Sequence, residues 1–125
     1  MKTSEMVFHY LKKQGFCPEF DRDNDIVFKY ETLTFLYFNN DDDEQFFRLA
    51  LPGIYDVTEE NRFAVLEAIN ETNRIMKVVK LTIPRDDVWV LAEIMMDSNP
   101  ELDDLVPRLL NILTGARQEF YDQLG

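Results

Sequence analysis

Three aspartates at alternate positions, Asp21, Asp23 and Asp25, have the spacing that most suggests chemistry. A helix-loop-helix calcium site begins in this way, but it also needs glycine at the sixth loop position and glutamate at the twelfth. This chain has Ile26 and Thr32 at those positions. Aspartate and asparagine also favour tight turns, because they tolerate left-handed backbone and hydrogen-bond to their own main chain. We therefore predict a hairpin turn here and no set of metal ligands.

A second acidic run, residues 39–44, leaves one alternative open. A calcium loop starting at Asp41 fails in the same way, because Phe46 and Pro52 take the sixth and twelfth positions. Clustered carboxylates nevertheless attract hard cations without a dedicated loop. A looser cation site shared by the two acidic turns is therefore the alternative interpretation.

The other residues that could do chemistry stand alone. His9 is the one histidine and lies on a predicted helix, whereas a general base needs positioned partners. Cys17 is the one cysteine, and no cationic neighbour is evident that would activate its thiol, so we predict a half-buried core residue. The adjacent pairs Asp86–Asp87 and Glu59–Glu60 would point apart. We expect no catalytic residue and no cofactor, and hence no enzyme.

Length and charge restrict the class of protein. The 125 residues are 46% hydrophobic and include ten phenylalanines, which predicts one folded domain over 1–125. The 24 acidic residues outnumber the 13 basic ones, for a net charge of -11. A field of that sign repels phosphate backbones, so we exclude nucleic acid and favour a protein or peptide partner that carries basic residues.

The cellular compartment is inferred from segments that the sequence lacks. The opening residues contain no apolar run long enough for a signal peptide, and no later run could span a bilayer. A single cysteine permits no internal disulfide. We expect a cytoplasmic protein with no membrane partner.

Periodicity predicts the elements. A helix capped by Thr3 or Ser4 is followed by strands near 16–20, 26–31, 33–38 and 45–51, the last ended by Pro52-Gly53. Asp56 and Thr58 are the candidate caps of a second helix, and Asp56 with Glu59 has capping-box spacing. Phe63, Leu66, Ile69 and Asn70 lie on one stripe of this helix. Strands near 78–83 and 88–96 precede a last helix capped by Asn99, with Pro100 at its first position. The order α-β-β-β-β-α-β-β-α predicts an α+β fold in which helices pack on an antiparallel sheet.

Two of these strands are apolar on both sides. On 88–96, Trp89, Leu91 and Met95 alternate with a second apolar set. A sheet with one exposed face should alternate apolar and polar residues, so the second face needs cover. Three helices could cover both faces, or a second subunit or a bound peptide could cover one. If a partner does so, Trp89, Leu91 and Met95 are the predicted contacts.

The end of the second helix carries a family resemblance. Asn70 and Asn73 in the stretch from Ala68 to Arg74 resemble the N-x-x-N helix end of the YbjN-type family of bacterial sensory transduction regulators. The Gly15-Phe16 step also matches that family, whereas Glu31-Thr32 stands where a glycine is expected. The resemblance implies a fold like that of type III secretion chaperones, Asn70 and Asn73 as a structural motif, and a small, often dimeric protein that works by binding.

Two hypotheses about function follow. The first is a binding module, chaperone-like or regulator-like, that holds an extended peptide by strand-edge pairing and apolar pockets. The alternative is a regulator that responds to a cation or small ligand at the acidic turns.

Overall fold

In the part of the chain that the structure describes, three helices and six strands follow one another in the predicted order, so the predicted α+β class is confirmed. The computed structural model describes residues 2–40 and 42–125, and Asp41 of the second acidic turn lies outside them. The elements are α1 Thr3–Lys13, β1 Glu19–Phe20, β2 Ile26–Tyr30, β3 Leu33–Tyr37, β4 Phe46–Asp56, α2 Arg62–Ile75, β5 Val79–Thr82, β6 Asp87–Met95 and α3 Leu102–Leu124.

The strands form one antiparallel sheet in the spatial order β1-β2-β3-β4-β6-β5. The first four are neighbours both in sequence and in space, as expected for a meander joined by short turns. The chain then crosses through α2 to β5 at the edge, and β6 returns to fill the place beside β4. The two edges are the two-residue β1 and the four-residue β5.

One face of the sheet carries the core. Its strand residues and the buried residues of all three helices belong to a single apolar cluster. The spine of that cluster is α3, where buried side chains recur at helical spacing: Val106, Leu109, Leu110, Leu113, Ala116 and Phe120. The helices therefore cover one face of the sheet and not both.

The first two hairpin turns confirm the sequence interpretation. The Asp21 N–H donates to the Asp25 carbonyl at 2.9 Å, and Asn24 takes the left-handed conformation with φ of 63°. Glu31 and Thr32 form a two-residue connection, and both have positive φ, 49° and 68°. Turns of that kind favour asparagine and glycine, so this connection is strained.

Pro52 and Gly53 were predicted to end β4, and that prediction is wrong. The strand continues to Asp56 through an irregularity between Leu51 and Tyr55, where its register against β6 shifts. A bulge accommodates a residue without an N–H and one with φ of 64°, so both residues fit inside the strand. At the β1 edge of the sheet, Phe16 to Pro18 lie outside the strand, and Cys17 is exposed where a half-buried residue was predicted.

The predicted helix starts are also displaced. The Thr3 hydroxyl donates to the Glu44 carbonyl at 2.6 Å and does not cap α1. The residue at the cap position of α2 is Asn61 and not Asp56, although its side chain makes no capping bond to the helix. Thr58, the other candidate, precedes it and exchanges two hydrogen bonds with it: the Thr58 N–H donates to the Asn61 side chain at 2.7 Å, and the Asn61 N–H donates to the Thr58 hydroxyl at 3.2 Å. At α3 the cap residue is Glu101, so Asn99 and Pro100 precede the helix.

The face that α2 buries coincides with the predicted stripe only at Ile69. Phe63 and Leu66 are 75% and 48% exposed. The buried residues are Val65, Ala68, Ile69 and Thr72, the last donating its hydroxyl proton to the Ala68 carbonyl. Both sets fit the helical period, and the set with smaller side chains lets α2 lie close to its neighbours.

Candidate functional site

The face of the sheet opposite the helices is the candidate site, and we call it the outward face. Strand register places a cross-strand row of Val27, Leu36, Ala50 and Leu91 on this side. Other residues at alternate positions of these strands and of β5 lie on the same side and flank that row: Phe38, Phe46, Arg48, Lys80, Trp89, Glu93 and Met95. Neither the apolar core cluster nor the partly buried residues packed against it include the apolar members of the outward face. The outward face is therefore a second apolar surface, separate from the core.

All three residues predicted as partner contacts lie on the outward face, but they differ in accessibility. Met95 is 71% exposed, whereas Leu91 is only 3% exposed among its neighbours on the sheet. Trp89 is half-buried, and its indole N–H donates to Asp87 Oδ1 at 3.0 Å. Met95 and Trp89 can therefore contact a partner directly, while Leu91 forms part of the floor between them.

Three charged residues cross the outward face as a belt that sequence reasoning missed. Glu93 on β6 forms ion pairs with Arg48 on β4, at 2.9 Å, and with Lys80 on β5, at 2.8 Å. The Arg48 guanidinium also lies 4.6 Å from the centre of the Phe38 ring. The only signal in the sequence was a charged residue at one alternate position in each of three apolar strands. This belt links the strands and divides the apolar surface into two parts.

The three alternating aspartates, Asp21, Asp23 and Asp25, come together at the start of β2. Ligand oxygens of Asp21, Asp23 and Asp25 lie within 4.8 Å of one another. Asp21 Oδ1 accepts the N–H groups of Asp23 and Asp25 at 2.9 and 3.0 Å, so this carboxylate holds the turn. Burial raises the pKa of Asp25, and the nearby Asp21 and Asp23 raise it further, while the Asn39 N–H and Arg48 oppose the change.

The asparagine pair separates into two different environments. The Asn73 side chain accepts the Leu81 N–H at 2.8 Å and donates to the Leu81 carbonyl at 3.3 Å. It thereby occupies the main-chain groups at the middle of the edge strand β5. Asn70 is exposed, one turn earlier on α2. The structural role predicted for this motif therefore has a visible contact at Asn73.

His9 lies in a shallow groove between α1 and the start of α3. The groove has a volume of about 510 Å³, and Tyr10, Glu101 and Asp103 also line it. Burial raises the pKa of Tyr10, and the charge of Asp103 raises it further. His9 itself is exposed and touches the Phe8 ring edge-on, with 6.2 Å between ring centres.

Within residues 2–40 and 42–125, no helix is both long enough and apolar enough to cross a membrane.

Comparison with known proteins supports the fold. No family model matches the chain, and no curated protein matches it either. Among solved structures, it is similar to an uncharacterized protein from Methanothermobacter thermautotrophicus, with a TM-score of 0.68 and 15% sequence identity over 98% of this chain and 99% of that one. At that identity the likeness shows the fold alone. The resemblance to the YbjN-type family stays a prediction.

Proposed function

We propose that this chain is a non-enzymatic module that binds a protein or peptide on the outward face of its sheet. The observation that carries the proposal is the apolar surface of that face, which lies outside the core that the three helices complete. Apolar surface of this kind is costly in water unless a partner covers it. A chaperone-like or regulator-like role in the cytoplasm, as the YbjN resemblance implies, is consistent with such a surface.

The geometry of the sheet favours a partner bound on its outward face over a peptide paired with one of its edge strands. We expected a peptide to pair with a strand edge, but β1 offers two residues and β5 offers four. At β5 the Asn73 side chain already satisfies the Leu81 N–H and carbonyl. An added strand would have to displace that amide and would gain few main-chain hydrogen bonds. The partner is therefore proposed to contact side chains of the face.

The charge of the chain selects among partners. Within the belt, Glu93 is already paired with both Arg48 and Lys80, so those groups have little left to offer a partner. The belt itself has a net charge of +1, so the rest of the chain carries a net charge of -12. A segment that is apolar at its centre and basic at its flanks fits this distribution. A second copy of this chain is the other candidate occupant, and its own charge of -11 disfavours it.

Two exposed apolar residues give a matched test. Met95 is 71% exposed on the outward face, and Phe63 is 75% exposed on α2. Partners would be captured from the source cytoplasm with the wild type, Met95→Glu and Phe63→Glu. Each substitution adds one negative charge, so non-specific repulsion is equal. We expect Met95→Glu to lose a reproducible partner that Phe63→Glu keeps, and the reverse pattern would refute the proposal. Light scattering of each variant would reveal a homodimer instead.

The alternative function, a regulator that responds to a cation, has one supporting observation. The carboxylate oxygens of Asp21, Asp23 and Asp25 converge within 4.8 Å. A ligand of the folded state must raise its stability. Calorimetric titration with calcium and with magnesium tests this alternative, and no heat together with an unchanged melting temperature in excess metal would eliminate it.

A further inference from the structure

A cavity of about 480 Å³ lies at one end of the outward face. We call it the Trp89 cavity, and its lining residues are Asp56, Pro84, Arg85, Asp86, Asp87 and Trp89. They come from the ends of β4 and β6 and from the turn that joins β5 to β6. The cavity thus adjoins the surface proposed to bind a partner.

Two carboxylates of this cavity face each other across neighbouring strands. Asp56 on β4 is the register partner of Asp87 on β6. Like charges directly opposite in an antiparallel pair destabilise the sheet. Arg85 is exposed, and within the described residues neither aspartate has a cationic group within 4.0 Å. The pair therefore has no ion-pair partner among the described residues, and Arg85, the cation that lines the same cavity, lies beyond 4.0 Å of both carboxylates.

An aromatic ring lies beside the two carboxylates of the cavity. The Trp89 indole N–H donates to Asp87 Oδ1 at 3.0 Å, which fixes the ring beside the carboxylate. Tryptophan is the side chain whose ring attracts cations most strongly. An indole held next to two aspartates is therefore suited to an organic cation.

A metal ion fits this cavity less well. Within residues 2–40 and 42–125, the one group of three or more acidic, histidine or cysteine ligand atoms close enough to share a metal ion is Asp21, Asp23 and Asp25. The carboxylates of Asp56, Asp86 and Asp87 are thus too far apart for a common ion. A guanidinium is planar, stacks on aromatic rings and donates to carboxylates through several N–H groups, so it can bridge that wider spacing.

We propose that the Trp89 cavity binds the side-chain guanidinium of an arginine in the partner segment. The inference rests on the proposed function and adds the chemistry of one partner residue. Asp56 and Asp87 supply the negative charge, and Trp89 supplies the ring. The overall charge of -11 favours the approach of such a basic segment.

Blocked arginine, N-acetyl-arginine amide, is the probe that tests the cavity by itself. Trp89 is the one tryptophan of the chain, so its fluorescence and its indole NMR signal report on this site. We expect a saturable change with blocked arginine and none with blocked citrulline, its neutral counterpart. Asp56→Asn and Asp87→Asn should each weaken binding by about threefold to fivefold. Asp104→Asn, which removes one exposed charge from the first turn of α3, should leave binding unchanged.

A stability measurement keeps the test independent of ligand affinity. If the paired aspartates repel each other, Asp56→Asn should raise the urea midpoint, whereas Asp104→Asn should not. No response of Trp89 to blocked arginine, or equal responses to arginine and citrulline, would overturn the proposal.

The two proposals can fail separately. If Met95→Glu abolishes partner capture while blocked arginine leaves Trp89 unchanged, the outward face stands and the arginine site is wrong. If blocked arginine binds with the expected pattern while Met95→Glu leaves capture intact, the cation site stands and the proposed function is wrong.

Discussion

Replacing Asn73 with alanine should destabilise the fold and open an edge of its sheet. Asn73 is the residue through which α2 holds the middle of β5, by two hydrogen bonds to the main chain of Leu81. Alanine makes neither bond. Asn70→Ala is the matched control, because Asn70 is an exposed asparagine one turn earlier on the same helix.

The magnitude follows from the geometry of the two bonds. A typical hydrogen bond contributes about 0.5–1.5 kcal/mol net. The bond that the Leu81 N–H donates, at 2.8 Å, should lie in the middle of that range, and the bond to the Leu81 carbonyl, at 3.3 Å, should lie near its lower end. The gain in helix propensity, about 0.5 kcal/mol, is common to both variants and cancels. We therefore expect Asn73→Ala to be about 1–2 kcal/mol less stable than Asn70→Ala.

Two measurements check this prediction. Urea unfolding followed by circular dichroism gives the free energy of each variant. Amide hydrogen exchange should show lost protection at the Leu81 N–H in Asn73→Ala only, since that N–H loses its acceptor. Equal stability of the two variants, with Leu81 still protected, would refute the role assigned to Asn73. Concentration-dependent association of Asn73→Ala would further indicate that the amide shields the edge of β5.

Two further predictions concern the hairpins. Replacing Glu31 by asparagine and Thr32 by glycine should raise the free energy of unfolding by about 1–2 kcal/mol, because both residues have positive φ and the new pair favours that conformation; an unchanged urea midpoint would contradict the strain. Burial raises the pKa of the Asp25 carboxyl above its ordinary value of 3.8. The folded state therefore binds the carboxyl proton more tightly than the unfolded chain does. The free energy of unfolding falls as the pH rises from 3.8 to the folded-state pKa, because Asp25 must then ionise in its buried site. Asp25→Asn should therefore gain stability relative to the wild type from pH 3.8 upward, and a constant difference in urea midpoint across pH would contradict this.

The element order was predictable because its signals are local. The alternation of the strands and the turn chemistry of the run from Asp21 to Asp25 depend on near neighbours in sequence. The end of β4 was not predictable in the same way. Pro52 and Gly53 favour either a stop or a bulge, and pairing with β6, far along the chain, decides between them.

Which face of each helix or strand is buried could not be predicted without knowledge of the tertiary contacts. Two stripes of α2 fit the helical period, one with Phe63 and Leu66 and the other with Val65 and Ala68, and packing against α3 selects the second. The candidate contacts Trp89 and Met95 could be recognised in the sequence, because they are apolar residues at the positions of β6 where an exposed face should carry polar ones. The pairing of Asp56 with Asp87 was not visible, because it depends on a register shift in β4.

Methionine NMR offers the most direct test of the outward face as the binding surface. Met95 and Met96 are adjacent in sequence, but Met95 lies exposed on that face, while Met96 packs against the core. In a protein with labelled methionine methyl groups, the partner captured with the wild type would be added stepwise. We predict that the Met95 methyl signal shifts on binding while those of Met96 and Met76 stay in place. An unchanged Met95 signal, with a shift at Met6 in the groove between α1 and α3, would contradict it.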